Sequence, residues 1–241
     1  MKAVVLAAGE GRRLESANLG VPKPMAPIGG RPLLEYTFAL LRHYGVREIA
    51  INVCHMSEAI TSHFGDGSSI GLVLFYLRES ALSGTAGAIK QLAEFLGNDP
   101  FFVLYGDVLT DIDLSELAAF HERRSPIGTI AICELDSPAN RGVVAINENE
   151  EIVGFVEKPS VAESSWANGG VYVLHPDILD FVPAGEVVDF GRDVFPSLLA
   201  DDLTLSAYRV AGYLRDIGEP EQYRQAVVDF ESGRFKSYVD W

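Results

Sequence analysis

Three charged residues stand where they could work on phosphate groups: Arg13, Lys23 and Asp107. Arg13 follows Gly9-x-Gly11, directly after the apolar run Ala3 to Ala8. Glycines behind a strand let the backbone turn sharply and approach a ligand closely. An arginine there can grip an anion through paired N–H donors. Lys23 lies between Pro22 and Pro24, which stiffen its loop, and adds a second cation. Asp107 follows the apolar run Phe101 to Tyr105 and Gly106. A carboxylate just past a central parallel strand lies where open α/β sheets bind ligands. One carboxylate plus substrate phosphates is also the usual way Mg²⁺ is held. Two other phosphate motifs are excluded. A dinucleotide fingerprint needs a third glycine where Leu14 stands, and no Gly-Lys-Ser/Thr of a Walker loop is present.

The elements that must position these groups are legible in the pattern. Ala3 to Ala8, Glu48 to Cys54, Leu72 to Leu77 and Pro100 to Tyr105 read as buried strands. Pro32 to Tyr44 and Ser57 to Phe64 read as helices, with Ser57 as a cap and Gly45 as a stop. A helix from Leu82-Ser83-Gly84-Thr85 through Leu96 would begin with N–H groups pointing outward, which favours an anion or a base carbonyl. This β-α-β alternation predicts an α/β fold with a parallel sheet covered by helices on both faces. After Leu114 to Arg124 and Gly128 to Leu135, composition shifts near residue 137. Arg141 to Ile146 and Ile152 to Lys158 read as a hairpin, and Asn168 to Leu174 as a further strand. Val188 to Leu199 reads as a helix capped by Asp189, and a last helix starts at Glu221. The tail 235–241 is aromatic and would dock on the body or on a partner. No linker divides the chain, which predicts one domain over 1–241, with halves of about 1–136 and 137–241.

Bulk properties narrow the class. The 241 residues are 48% hydrophobic and 22% charged, as in ordinary globular proteins. A net charge of -15 argues against nucleic acid and anionic membranes as partners. No apolar run reaches membrane-spanning length, and the N-terminus is not a signal peptide. Cys54 and Cys133 lie in strand-like runs, which predicts buried thiols without a disulfide framework and a cytoplasmic location. The five histidines form no metal-spaced cluster and read as structural, and no His–carboxylate or Ser–His pairing is offered for catalysis.

Leu6-x-x-Gly9-x-Gly11-x-Arg13-Leu14, followed by Pro22-Lys23-Pro24-Met25 and the stretch to Tyr36, resembles the signature of the sugar nucleotidyltransferases, the NDP-sugar pyrophosphorylases. Gly84-Thr85-Ala86-Gly87, Gly106-Asp107-Val108-Leu109-Thr110, Glu157-Lys158-Pro159, Asn168-Gly169 and Arg215-Asp216-Ile217-Gly218 extend the resemblance over nearly the whole chain. It implies a Rossmann-like three-layer sandwich with a mainly parallel central sheet and a β-rich sugar-binding half. It also implies the reaction NTP plus sugar 1-phosphate giving NDP-sugar plus pyrophosphate. By resemblance Arg13, Lys23 and Asp107 are catalytic. Leu6, Ala8, Gly9, Gly11, Glu79, Gly84 and Thr85 would bind the nucleotide. Gly142, Glu157, Lys158, Asn168 and Gly169 would bind the sugar phosphate, and Asp107 with Asp216 would hold Mg²⁺. The chain departs from the family pattern at Tyr105, Arg141 and Glu219.

The attacking phosphate is already largely ionised near neutrality, since a phosphate monoester's second pKa is about 6. No general base is required, and positioning with charge neutralisation must carry the reaction. The pattern is most similar to guanylyltransferases acting on mannose 1-phosphate, ahead of thymidylyl or uridylyl transfer to glucose 1-phosphate. Two other readings stand beside it. One is a catalytically silent regulatory subunit that binds an NDP-sugar. The other is a cytidylyltransferase with a small phosphorylated alcohol as acceptor. Retention of Arg13, Lys23, Asp107 and Asp216 speaks against the first, and Glu157, Lys158 and Asn168 against the second. A homo-oligomer is compatible with all of them.

Overall fold

The computed structural model describes residues 1–9 and 20–240. Contacts divide the chain into two compact units. The first comprises Lys2–Leu82, Leu104–Asp113 and Ala211–Trp241, and the second Met1, Ser83–Val103 and Leu114–Val210. Each unit is discontinuous in sequence.

In the first unit, strands β1 (Ala3–Leu6), β4 (Glu48–Val53) and β5 (Val73–Arg78) pair in parallel, with Val4 opposite Ala50 and Ala50 opposite Phe75. Ala3, Val4, Val5, Ile49, Ala50 and Ile51 are wholly buried, as expected of a parallel strand covered on both sides. Two short strands, β2 (Pro27–Ile28) and β3 (Arg31–Pro32), form a hairpin leading into helix α1 (Leu33–His43). Nine successive residues of α1, Leu33 to Leu41, are buried, Glu35 and Thr37 among them. Helix α2 (Ser57–Phe64) starts behind Met56, whose φ is 52°. The Ser57 side chain does not cap it, and its Oγ accepts from Arg78 instead.

The second unit holds helices α3 (Gly84–Gln91), α4 (Ala93–Leu96) and α5 (Leu114–Arg124). The single helix expected through Leu96 is thus two, broken at Leu92. Strand β6 (Phe101–Tyr105) runs across the division at Val103, and β7 (Val108–Thr110) belongs to the first unit. In the second unit β8 (Gly128–Glu134) pairs with β11 (Trp166–Leu174) antiparallel and β12 (Leu205–Arg209) in parallel. Strands β9 (Gly142–Ile146) and β10 (Ile152–Glu157) form the expected hairpin, with Gly142 opposite Glu157. The expected helix at Val188 begins instead as a π-helical turn, Phe190–Val194, which passes into α6 (Phe195–Ala200). Phe190, Phe195 and Tyr172 pack there with centroids 5.3 to 6.2 Å apart.

Strand β13 (Leu214–Asp216) returns to the first unit and pairs with β7, and helix α7 (Pro220–Glu231) follows. The tail lies on this unit. Phe235 meets Tyr36 edge-on at 5.5 Å and Tyr213 at 5.6 Å, and Arg42 pairs with Asp240. Asp111 accepts the backbone N–H of both Tyr213 and Lys236. The fold is mixed α/β with a mainly parallel central sheet, as the sequence predicted. Cys54 and Cys133 are partly exposed rather than buried. Among the described residues, no helix is long and apolar enough to cross a membrane.

Candidate active site

The first unit gathers Lys23, Asp107 and Asp216, three of the charged residues expected to act on phosphate. Lys23 opens a 3-10 turn, Lys23–Met25, closed by Met25 N–H to Pro22 O at 2.8 Å and Ala26 N–H to Lys23 O at 2.9 Å. Its side chain is only 12% exposed, and its Nζ lies 3.5 Å from Asp107 Oδ2. A lysine held so far from water needs an anion beside it, and a nearly buried ammonium keeps its field unscreened.

Asp107 is placed by the end of β1. Gly106 donates to Leu6 O at 2.8 Å, and a Cβ on Gly106 would stand 3.0 Å from that oxygen. A side chain at 106 would push the Asp107 turn away from β1. Asp216 arrives from β13, opposite Val108, and Ile217 N–H bonds Asp107 O at 2.9 Å. Its Oδ1 accepts from Gly218 N at 2.5 Å, and a Cβ on Gly218 would lie 2.8 Å from the same oxygen and 3.4 Å from Lys23 Nζ. Burial first, and the Asp216 charge second, push the Asp107 carboxyl above its ordinary pKa, against the opposing pull of Lys23. Two carboxylates and a lysine at one spot therefore carry unrelieved negative charge, which a divalent cation would neutralise. No group of three or more His, Cys, Asp or Glu among the described residues is arranged to hold a metal. The pair fits Mg²⁺ only with phosphate oxygens and water completing the shell, as is usual for that ion.

The loop after β1 is tied down by a residue the sequence reading missed. Asn52 is 5% exposed in the middle of β4. Its Oδ1 accepts the Ala7 N–H at 2.8 Å, and its Nδ2 donates to Glu79 Oε2 at 2.8 Å. Its signal was a polar residue inside the apolar run Ile49 to Val53. Glu79 is thus an oriented acceptor rather than a wandering surface glutamate. Ala8 is buried in the segment after β1, and a Cβ on Gly9 would meet none of the described residues within 4 Å. Gly11 and Arg13 lie outside the described residues.

The second unit gathers the remaining expected residues in two groups. Gly84 has φ +79°, and a Cβ there would stand 2.3 Å from Val188 O. The N–H groups of Ala86 and Gly87 both donate to that oxygen, at 3.0 and 3.1 Å. They are satisfied within the unit, contrary to the expectation that this terminus presents them outward. The Thr85 hydroxyl donates to Asp189 Oδ1 at 2.8 Å and accepts from Phe190 N at 2.9 Å. Asp189, expected to cap a helix, makes no side-chain cap.

Gly142 and Glu157 face each other across the hairpin, and Glu157 Oε1 lies 3.4 Å from Lys158 Nζ. Lys158 holds φ 48° and is 56% exposed, so its ammonium reaches outward. Asn168 donates to the Tyr172 hydroxyl at 2.7 Å and accepts from Gly170 N at 3.0 Å, where β11 shifts register. Gly169 sits in the same irregular stretch. The Asn168 amide keeps one N–H and one lone pair beyond these bonds.

The structure also corrects the statement that the chain offers no His–carboxylate pairing. His63 Nε2 lies 2.9 Å from Glu35 Oε1, and His175 Nδ1 lies 3.3 Å from Asp177 Oδ2. Glu35 also accepts from Arg31 at 2.8 Å, so this pair ties α2 to the start of α1.

Known proteins resemble this chain in sequence and in fold. The chain is 36% identical to a UTP–glucose-1-phosphate uridylyltransferase of Synechocystis sp. over 94% of its length. It is 35% identical to a mannose-1-phosphate guanylyltransferase of Mycobacterium tuberculosis over 96% of its length. It spans 62% and 65% of those two proteins. The crystal structure of HddC from Yersinia pseudotuberculosis superposes with a TM-score of 0.82 at 26% identity, over 95% of this chain and 99% of that one. The model of the Nucleotidyl transferase family matches residues 2–233. With the ordered motifs and the α/β fold, this places the protein in the nucleotidyl transferase family, among relatives named as sugar-1-phosphate nucleotidyltransferases.

Proposed function

We propose that the protein transfers a nucleotidyl group from an NTP to a sugar 1-phosphate, releasing pyrophosphate, with GTP and a manno-configured sugar phosphate as the preferred pair. The observation that carries this reading is the convergence of Lys23, Asp107 and Asp216. The reaction needs no general base, because the attacking phosphate monoester has a second pKa of about 6.

Each side chain then has a role. Lys23 holds the α-phosphate and the negative charge that grows on it during in-line attack. Arg13 would take the departing pyrophosphate. Asp107 and Asp216 would hold Mg²⁺, which when bound neutralises phosphate charge and fixes the polyphosphate conformation. Glu157 accepts hydrogen bonds from sugar hydroxyls, Asn168 adds its remaining amide donor, and Lys158 offers a point charge to the sugar phosphate. By the resemblance, Leu6, Ala8, Gly9 and Gly11 of the segment after β1 would bind the nucleotide.

The base preference rests on Glu79. A carboxylate accepts only, so an oriented Glu79 favours an edge with adjacent N–H donors, as guanine has, over the acceptor-rich edges of uracil and thymine. That a crystal structure of HddC is described as complexed with GMP-PN, at 26% identity and TM-score 0.81, supports the same base. The Synechocystis relative, named for UTP and glucose 1-phosphate, favours the second reading, uridylyl transfer. Pyrophosphate release with Mg²⁺, measured over four NTPs and a panel of sugar 1-phosphates, separates them. A dominant GTP–mannose 1-phosphate rate is expected. A dominant UTP–glucose 1-phosphate rate selects the alternative. Silence with tight NDP-sugar binding would make the protein a regulatory subunit.

A further inference from the structure

The Glu157 carboxylate sits in a cradle that the sequence reading did not identify. A Cβ on Gly191 would stand 2.7 Å from Glu157 Oε2 and 3.2 Å from the Phe155 ring. On the other side, a Cβ on Gly142 would stand 3.0 Å from the same oxygen and 2.5 Å from the same ring. The 2.7 and 2.5 Å approaches are closer than real Cβ atoms come and the other two are tight, so two glycines leave the room that one carboxylate oxygen occupies. The other oxygen faces Lys158.

Gly191 is not free to choose its place. It lies in the π-helical turn Phe190–Val194, and such turns are rare and frequent at functional sites. The preceding residues form a strap bolted to the start of α3. Val188 donates to Ser83 O at 2.9 Å, and its own carbonyl accepts from Ala86 and Gly87. The Thr85 hydroxyl then holds the next two residues at once, donating to the Asp189 carboxylate and accepting from the Phe190 N–H. Asp189 N–H bonds Asp193 Oδ2 at 2.7 Å, and the Phe190 ring stacks on Phe195. The route from Thr85 to Glu157 therefore runs through two hydrogen bonds to Asp189 and Phe190, and then to the next residue, Gly191, whose missing side chain leaves the carboxylate its room.

We infer that Thr85 and Gly191 are positioning residues for Glu157, so that the Thr85 hydroxyl serves sugar-phosphate recognition although it stands in the segment assigned to the nucleotide. The inference rests on the sugar 1-phosphate reading above. Thr85→Val keeps the shape but leaves the Phe190 N–H without its acceptor, and the strap relaxes. Gly191→Ala forces the carboxylate itself aside. A displaced binding group far smaller than a lost one still costs catalysis heavily.

The test is a pair of KM measurements, each at saturating co-substrate, with thermal midpoints as a folding control. Thr85→Val and Gly191→Ala are expected to raise KM for the sugar 1-phosphate about tenfold or more while KM for the NTP stays within about twofold. Thr85→Ser, which keeps the hydroxyl, is expected to restore the wild-type value. A rise in the NTP KM alone, or no change in either, overturns the inference, and Gly191→Ala decides it should Thr85→Val fail to fold. If the wild type turns over no pair, the functional reading falls by itself. A crystal structure of Thr85→Val then decides the strap: residues 188–191 and the Glu157 carboxylate displaced would support it, and both unmoved would overturn it.

Discussion

At the residue scale, Lys23 and Asp107 show how one site holds opposite demands. The lysine is nearly buried and needs its anion, while Asp107 is pushed toward its neutral form by burial and by Asp216. Lys23→Ala and Asp107→Asn are each expected to cut turnover at least about 100-fold, the scale of losing one preorganised electrostatic group. Steady-state pyrophosphate release measures it. Asp107→Asn also removes the repulsion from Asp216, which stays near Lys23 as its anion, so its thermal midpoint in a chelating buffer is expected not to fall. A dead but unfolded variant would not meet both conditions. A second residue sets a pH dependence away from this chemistry. His121 is 5% exposed in α5, its Nδ1 2.9 Å from Thr129 Oγ1. Burial, aided by the charge of His175, pushes its pKa down to about 4. A histidine depressed in the folded state stabilises the protein above its unfolded pKa, about 6.5, and this is lost as pH falls toward 4. Thermal midpoints from pH 8 to 4 should therefore decline, and His121→Gln should start lower and decline less steeply.

At the element scale, the start of α3 is decided by a chain segment a hundred residues away. Its φ of +79° and the Val188 carbonyl against it make position 84 intolerant of any side chain. Gly84→Ala is expected to destabilise by more than the roughly 1–3 kcal/mol of a strained backbone conformation, because the clash adds to it. Urea unfolding of wild type and variant gives the difference, and a loss under about 0.5 kcal/mol, the range of an innocuous surface change, would refute the packing. The sequence offered Gly84-Thr85 as a helix start with outward N–H groups. The Val188 strap takes those groups, and no local pattern could have announced it. The same holds for the π-helical turn at Phe190, where a regular helix from Val188 was expected.

At the scale of the whole molecule, the tail completes a core that the preceding chain leaves open. Phe235, 6% exposed, packs with Tyr36, Leu109 and Ile217, beside Tyr213 and Phe230. Leu109 lies in β7, two residues past Asp107, and Ile217 directly follows Asp216, so this packing backs the candidate site. Phe235→Ala is expected to cost about 3 kcal/mol, the lower end for a buried phenylalanine. Calorimetry measures the loss, and an unchanged midpoint would show that the tail adds nothing to the core.

The sequence by itself determined the α/β class, the strands that lead to Gly9 and Asp107, and the family, because buried strands write themselves as apolar runs and phosphate chemistry demands particular residue types in order. It also named Lys23, Asp107 and Asp216, which the structure draws to one place. Only tertiary structure decided what each polar group does with its hydrogen bonds. Asn52 fixes Glu79, Val188 occupies the α3 terminus, Thr85 holds Asp189 and Phe190, and Gly191 makes room for Glu157. These partners are separated by 27 to 105 positions in the chain. Local pattern carries information over a few residues, whereas the satisfaction of a buried donor is a contact between distant segments and exists only once they are packed.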